Sequence, residues 1–287
     1  MLLYNACIIL LFAAGLKENK MDQNLIAVIV GIVEGLTEFL PVSSTGHMII
    51  VGHLLGFSER VADVFDVFVQ LGAILSVIFI YKERFYRFFT KEGWQLNKGL
   101  SIWHVAAGIV PVMAVAFFMY KYIKEYLFSP FTVAIGLALG GLLLIYAEKK
   151  TEHKQDQLVK NIDDITIKQA LYVGIYQFLS LWPGFSRSGS TIAGGLLVGL
   201  SREAAANYTF IIAVPLMFVA CIYDLLKNIH GLTAHELQIL GIGFVVSFIV
   251  AYWSVLWFLK FLHKYSLSSF AYYRIVLAIF TYWFFYM

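Results

Sequence analysis

Three stretches of this chain, Leu100–Tyr120, Phe131–Ala147 and Leu237–Leu259, run for 21, 17 and 23 residues without one Asp, Glu, Lys or Arg. A helix needs roughly 17–25 predominantly apolar residues to cross a bilayer, so runs of this length commit the chain to lipid as a solvent. The composition agrees. Charged residues make up 14% of the 287 positions and hydrophobic ones 60%, with a mean hydropathy of +0.78. Soluble domains are about 25% charged. A transmembrane β-barrel would show segments of about ten residues alternating in polarity, and none is present. The expected fold class is an all-α polytopic membrane protein.

Six spanning helices are expected, at Val67–Tyr81, Leu100–Tyr120, Phe131–Ala147, Ala204–Tyr223, Leu237–Leu259 and Phe270–Met287. Two further apolar stretches, Leu25–Phe57 and Gln169–Leu200, are interrupted midway by Pro, Gly and hydroxyl residues, which leaves each half too short to span. Both read as re-entrant helix hairpins, tolerated at membrane depth only where protein or water satisfies the loop backbone. G-I-V-E-G-L at 31–36 aligns with G-I-Y-Q-F-L at 174–179, and L-L-G-F-S-E-R at 54–60 with L-V-G-L-S-R-E at 197–203. Both pairs share an offset of 143, half the chain, while Pro41 and Pro183 fall one residue out of that register. Three spans follow each hairpin, and an odd number per repeat makes the second copy inverted in the membrane.

The expected organisation is then a first repeat over 21–147 (hairpin 25–57 plus three spans), a charged loop over 148–168, and a second repeat over 169–287 (hairpin 169–200 plus three spans). Residues 1–20 carry an apolar run with no basic residue ahead of it and K-E-N-K behind it. Three readings suit them, a short extra helix, a signal-like apolar segment, or an upstream start with Met21 as the natural one; the last is preferred, and no function is placed in this extension.

Lys and Arg number five in 82–99, two in 121–130, five in 148–168, one in 227–236 and two in 260–269. The alternation puts the first, third and fifth of these loops inside. The first hairpin then enters from outside and the second from inside, so their broken loops can meet near the midplane. A net charge of +3 is too mild to argue for nucleic acid. Cys7 and Cys221 lie in different apolar segments and suggest neither a metal site nor a disulfide.

The first hairpin reads E-G-L-T-E-F-L-P-V-S-S-T-G-H over 34–47. Glu34 and Glu38, four apart, share one helix face, and two carboxylates in an apolar helix need a partner, a proton or a metal. Glutamates reaching an interface would look similar, but His47 and three hydroxyls (Ser43, Ser44, Thr45) follow within nine residues of Glu38. The second hairpin carries P-G-F-S-R-S-G-S-T over 183–191. Arg274, near a helix end, reads as an arginine snorkelling to an interface, and His53 and His104 as satisfied polar residues. Arg187 differs, because it is centred in a Gly/Ser loop. A guanidinium beside Ser186, Ser188 and Thr191, followed by a helix starting near Gly189, makes an anion cradle. The helix starting near Thr45–His47 offers a second such end. Phosphate or pyrophosphate is the natural guest, and the two glutamates then need a bridging divalent cation, Mg²⁺ or Ca²⁺, or a proton-transfer role.

These motifs closely resemble those of the undecaprenyl-diphosphate phosphatase family, the bacitracin-resistance type of membrane phosphatase, and the likeness runs from about Met21 to the C-terminus. Glu34 and Glu38 match the family's acidic motif. Pro183, Gly184, Ser186, Arg187, Ser188 and Thr191 match its P-G-x-S-R-S-x-x-T motif, and Ser44, Thr45 and His47 match its important serine, threonine and histidine. The resemblance implies removal of the terminal phosphate from undecaprenyl diphosphate and recycling of the lipid carrier for cell-wall synthesis. It also implies a divalent cation, the bacterial cytoplasmic (inner) membrane, and an active site on its outer face. In that reading Ser43, Thr45, Ser186, Arg187, Ser188 and Thr191 bind the phosphates, and Glu34 and Glu38 hold the metal or act as acid and base. The nucleophile is open among Ser44 with His47 as base, His47 itself, and water. Oligomeric state is open too, a homodimer included. Inverted repeats with broken helices are also a transporter signature, so a flippase or transporter for a lipid phosphate or another anion is the rival reading.

Overall fold

The computed structural model describes residues 22–56, 59–127, 129–228 and 232–287. The extension at 1–20, with Cys7, and Phe57 at the end of the first hairpin lie outside the described residues. Among those described, the regular structure is helical: α1 Gln23–Thr37, α2 Ser44–Leu55, α3 Glu59–Ile80, α4 Lys82–Phe88, α5 Ile102–Tyr126, α6 Pro130–Thr151, α7 Ile167–Tyr176, α8 Arg187–Leu197, α9 Arg202–Asn228, α10 Ala234–Leu262 and α11 Ser268–Tyr286. Several helix starts carry side-chain caps. Ser129 accepts from Thr132 N ahead of Pro130, and Thr166 and Thr233 form capping boxes with Gln169 and Glu236.

The chain is a multi-pass membrane protein. Four helices, over Ile102–Met119, Pro130–Thr151, Arg202–Leu226 and Ala234–Leu262, are long and apolar enough to cross a bilayer, and Val64–Ile80 with Lys82–Phe88 makes a fifth if that pair, bent by 85°, counts as one span. The helix expected as a sixth span, α11, has the length but carries Arg274 and four tyrosines. Large apolar side chains face outward, among them Phe117 and Phe118, each more than three-quarters exposed. Water would penalise such a surface; lipid does not.

Both interrupted stretches fold as a helix, a break and a second helix, and each break is built around one unusual serine. After α1 the chain turns through Glu38–Val42 and enters α2 at Ser43; after α7 a 3₁₀ turn over Gln177–Leu181 and the Trp182–Phe185 stretch lead into α8 at Ser186. Ser43 and Ser186, 143 apart, have φ of 69° and 70° and are the only non-glycine residues with positive φ among those described. Each caps its helix: Ser43 Oγ accepts from Gly46 N and Ser186 Oγ from Gly189 N. Gly184, also at positive φ (88°), lies so close to Val133 that a Cβ would collide with its carbonyl oxygen.

The hairpins dock on opposite halves of the chain. α1 lies along α10, and α7 along α5, while α3 packs on both α9 and α10 and α6 on α11. The approaches are close because the contact residues are small: a Cβ at Gly31 would stand 2.9 Å from the Gly243 carbonyl oxygen, and one at Gly174 2.6 Å from that of Gly108. Swapped docking of this kind brings the two breaks face to face.

Candidate active site

The first contact between the breaks is an ion pair. Arg187 Nη2 donates to Glu38 Oε1 at 2.8 Å, with both side chains largely buried, and the guanidinium lies over the Phe39 ring at 5.5 Å. Glu38 Oε2 accepts from Ser44 Oγ at 2.5 Å. Ser188 Oγ donates to the Leu40 carbonyl (2.7 Å) and lies 3.1 Å from Ser186 Oγ. The two loops are therefore stitched by a charged bond and a neutral one, across about 150 residues of chain.

A cavity of about 280 Å³ opens at this junction. Its polar wall is Glu38, Ser43, Ser44, Thr45, Ser186 and Arg187, and its apolar wall comes from α5 and α9 through Val112, Ala116, Leu216, Met217 and Ala220. Arg187 Nη1 is buried there without a partner. Both α2 and α8 point their N-termini into this region, and their first amides are free of helical acceptors. Donors, helix dipoles and a guanidinium thus converge on one space, as anion binding requires.

Not every expected site residue reaches the cavity. His47 is buried behind it, its Nδ1 donating to the Ser43 carbonyl and its Nε2 meeting Tyr273 Oη, both at 2.7 Å, with the two rings stacked. Ser44 is directed to Glu38 and not to His47. Ser188 spends its hydroxyl on the inter-loop bond. Thr191 lies a turn down α8, donating to the Arg187 carbonyl (2.9 Å) and accepting from Thr209 (2.9 Å), so its side chain shapes the helix and does not line the cavity.

Glu34, one turn before Glu38, is fully buried with Oε1 unpartnered, and Glu38, Asp66 and Arg187 are its charged neighbours. Side-by-side carboxylates in such a place need a proton or cation between them. No group of three or more His, Cys, Asp or Glu suited to a metal occurs among the described residues. Glu34 Oε1 is the carboxylate oxygen left open to a cation here, since Arg187 and Ser44 engage both oxygens of Glu38.

Three residues of the site escaped the sequence. Arg274 does not snorkel: it is fully buried and bonded to the carbonyls of Gly136, Gly184 and Phe185, because the close packing of α11 on α6 encloses it. Tyr273 holds His47. Gln70 reaches the cavity from α3, accepting weakly from Cys221 Sγ at 3.6 Å. The one available signal was a lone charge within an apolar run. His104 is as expected, its Nδ1 bonded to Ser101 at the start of α5, and His53 lies at the surface against Phe284 and Phe285.

Residues 27–280 match the family described as bacitracin resistance protein BacA. The chain belongs to this family. Among its BacA-type relatives, the chain is 46% identical over 260 residues to undecaprenyl-diphosphatase 1 of Bacillus thuringiensis (strain Al Hakam), covering 90% of this chain and 97% of that protein. It is 45% identical over 266 residues to the undecaprenyl-diphosphatase of Solidesulfovibrio magneticus, covering 92% and 99%. The undecaprenyl-diphosphatase of Maridesulfovibrio salexigens is 46% identical over 253 residues, covering 88% and 95%.

Proposed function

We infer that this BacA-family chain is an integral-membrane phosphatase that hydrolyses undecaprenyl diphosphate to undecaprenyl phosphate and phosphate. It recycles the lipid carrier for cell-wall synthesis and thereby confers bacitracin resistance. The observation that carries the reading is the convergence of Arg187, Glu38 and Ser44, from two hairpins half a chain apart, on one cavity with a polar and an apolar wall. A pyrophosphate fits the polar wall, and a prenyl chain leaves along the apolar one.

The geometry supports the following sequence. The incoming terminal phosphate takes the Arg187 fork, in exchange for Glu38. Released from that ion pair, Glu38 is free to accept the proton of the Ser44 hydroxyl already bonded to it. Ser44 Oγ attacks the terminal phosphorus, the bond to the bridging oxygen breaks, and undecaprenyl phosphate departs with that oxygen, which takes the proton from Glu38 and leaves it a carboxylate again. Water, deprotonated in turn by Glu38, attacks the phosphoserine and releases phosphate. Arg187 and the α2 and α8 amides stabilise the equatorial oxygens, the main contribution in phosphoryl transfer. A divalent cation held by Glu34 and Glu38 would neutralise charge on the pyrophosphate. His47, with both ring nitrogens engaged, orients α2 and serves neither as base nor as nucleophile.

The membrane is the bacterial inner membrane, with the site opening outward. Helices α5 and α9 each begin next to a basic loop, and their cavity-lining residues lie in the middle and second half of each helix, away from those loops.

The test is phosphate release from undecaprenyl diphosphate by the purified chain in detergent, where no gradient exists. Metal-dependent release that disappears on chelation supports the phosphatase, and its absence from folded protein refutes it in favour of a transporter. Acid-quenched turnover with labelled substrate should leave phosphate on Ser44; label on His47 would reassign the nucleophile.

A further inference from the structure

Arg274 is the largest fully buried side chain in the molecule among the described residues. Its Nη2 donates to the carbonyl oxygens of Phe185 (2.6 Å), Gly184 (3.2 Å) and Gly136 (3.4 Å), while Nε and Nη1 meet no acceptor. Among the described residues no carboxylate pairs with it. Space for it is built into two other helices: a Cβ at Gly140 would collide with the guanidinium, and one at Gly189 would stand 2.6 Å from Nη1. Nη1 therefore rests against the first turn of α8, directly behind the phosphate cradle.

A buried cation without a counter-charge is costly, and nothing about packing α11 on α6 requires one. Two features give it a purpose. The peptide bond is planar and trans, so a carbonyl and the following N–H point in opposite directions. With the Phe185 carbonyl drawn onto Arg274, the Ser186 amide is turned away from it, and Ser186 lines the cavity. Among the described residues no backbone acceptor meets the amides of Ser186, Arg187 or Ser188. The second feature is the charge, which lies at the same helix end as Arg187 but out of reach of Glu38.

We propose that Arg274 is a positioning residue of the phosphate site, holding the Pro183–Ser186 turn with carbonyls backward and amides forward, and that its own charge is balanced only when the substrate's terminal phosphate occupies the cradle. The proposal rests on the phosphatase reading above.

Two measurements on the purified full chain separate them: kcat and KM for undecaprenyl diphosphate, and melting with and without inorganic phosphate. Methionine can fill the buried volume, so Arg274→Met should melt no lower than wild type without phosphate, because an uncompensated buried charge is gone. Its kcat/KM should fall by roughly 100-fold, the scale of losing one transition-state anion donor, and stabilisation by inorganic phosphate should vanish. Arg274→Lys restores charge without the fork and should recover the phosphate response together with part of the activity. A purely structural arginine predicts the reverse: a lower melting temperature with kcat/KM per folded molecule and the phosphate response both unchanged, and that result overturns the proposal. If Arg274→Met does not fold, Arg274→Lys decides alone, about a tenfold loss of kcat/KM at wild-type melting temperature supporting it and wild-type kinetics overturning it. Wild-type protein that binds phosphate but releases none from the lipid would sink the phosphatase reading, and the melting comparison would still decide the role of Arg274.

Discussion

The two breaks have one backbone and two chemistries. Ser43 and Ser186 share a positive φ near 70° and the same capping bond, and Gly56 and Gly199, which end α2 and the turn after α8, share a positive φ at the same offset of 143. What differs is the residue just inside each helix. Ser44 stands where Arg187 stands in the other break, Thr45 opposes Ser188, and His47 opposes Ser190. The first break gathers acid and hydroxyl, the second cation and amide. Repeated geometry supplies two helix ends aimed at one point, and divergence at a few positions turns that symmetry into a polar site with opposite charges on its two sides.

Removing the cationic side should cost most. Arg187→Ala deletes the fork that grips phosphate and leaves Glu38 without its buried partner, so phosphate release should fall by about 10³-fold or more. Arg187→Lys should recover only part of it, since an ammonium cannot reproduce the planar fork. Wild-type activity in Arg187→Lys would show that charge alone, and not geometry, distinguishes the second break.

The acidic side should be graded. Glu38→Gln keeps the shape but weakens both the Arg187 bond and the acceptor for Ser44, for an expected loss of roughly 10²-fold in kcat. Glu34 touches neither Arg187 nor Ser44 in the bonds seen here, so Glu34→Gln should lose about tenfold or less, mainly as a higher metal requirement. Titrating Mg²⁺ against rate for both variants checks the order. A larger loss at Glu34 would move the proton acceptor from Glu38 to Glu34.

Much of this was legible before any coordinates. Pro, Gly and Ser interrupting an apolar run have few explanations in lipid, which exposed both breaks, and Arg187 stood out because a loop arginine has no interface to reach. What stayed hidden depends on packing between distant helices. Arg274 reads the same whether it snorkels or is enclosed, and only the contact of α11 with α6 decides. Thr191 belongs to the right motif, yet a helical turn carries its hydroxyl away from the cavity, a displacement that spacing alone does not reveal. His47, one of the candidates to act on or with Ser44, is bonded to Tyr273, 226 residues away, a partner that local spacing does not announce.

The shared serines offer a test at the level of stability. Ser43→Ala and Ser186→Ala each lose an N-cap and place alanine at positive φ, so each should destabilise by about 1–2 kcal/mol. Glycine at either position tolerates the backbone and should cost only a few tenths. Melting temperatures of the four variants check whether the two breaks are equivalent scaffolds. A cost confined to one serine would mean that only one break depends on its cap.

The smallest effect concerns how each hairpin is tethered to the rest of the chain. Ahead of α1 the tether is Asp22, which caps the helix through Asn24 and is exposed. Ahead of α7 it is Asp163, whose carboxylate accepts from Arg84 and from the Leu100 amide and sits near Arg87. The Arg84 hydrogen bond, with help from the Leu100 amide and Arg87, holds Asp163 below the usual carboxylate range. A depressed folded value means stability that is present above the ordinary aspartate pKa of about 3.9 and is lost as pH falls through the lower folded value. Asp163→Asn should therefore melt lower than wild type at pH 6, by the equivalent of about 0.5–1 kcal/mol for a partly exposed pair, and the gap should close as wild type is acidified below pH 4. Asp22→Asn, which can still cap, should show almost no gap at either pH. If both tethers respond alike, the asymmetry between the hairpins is confined to their loops; if only Asp163 responds, the second hairpin is also the more firmly anchored, as suits the break that carries the cationic side of the site.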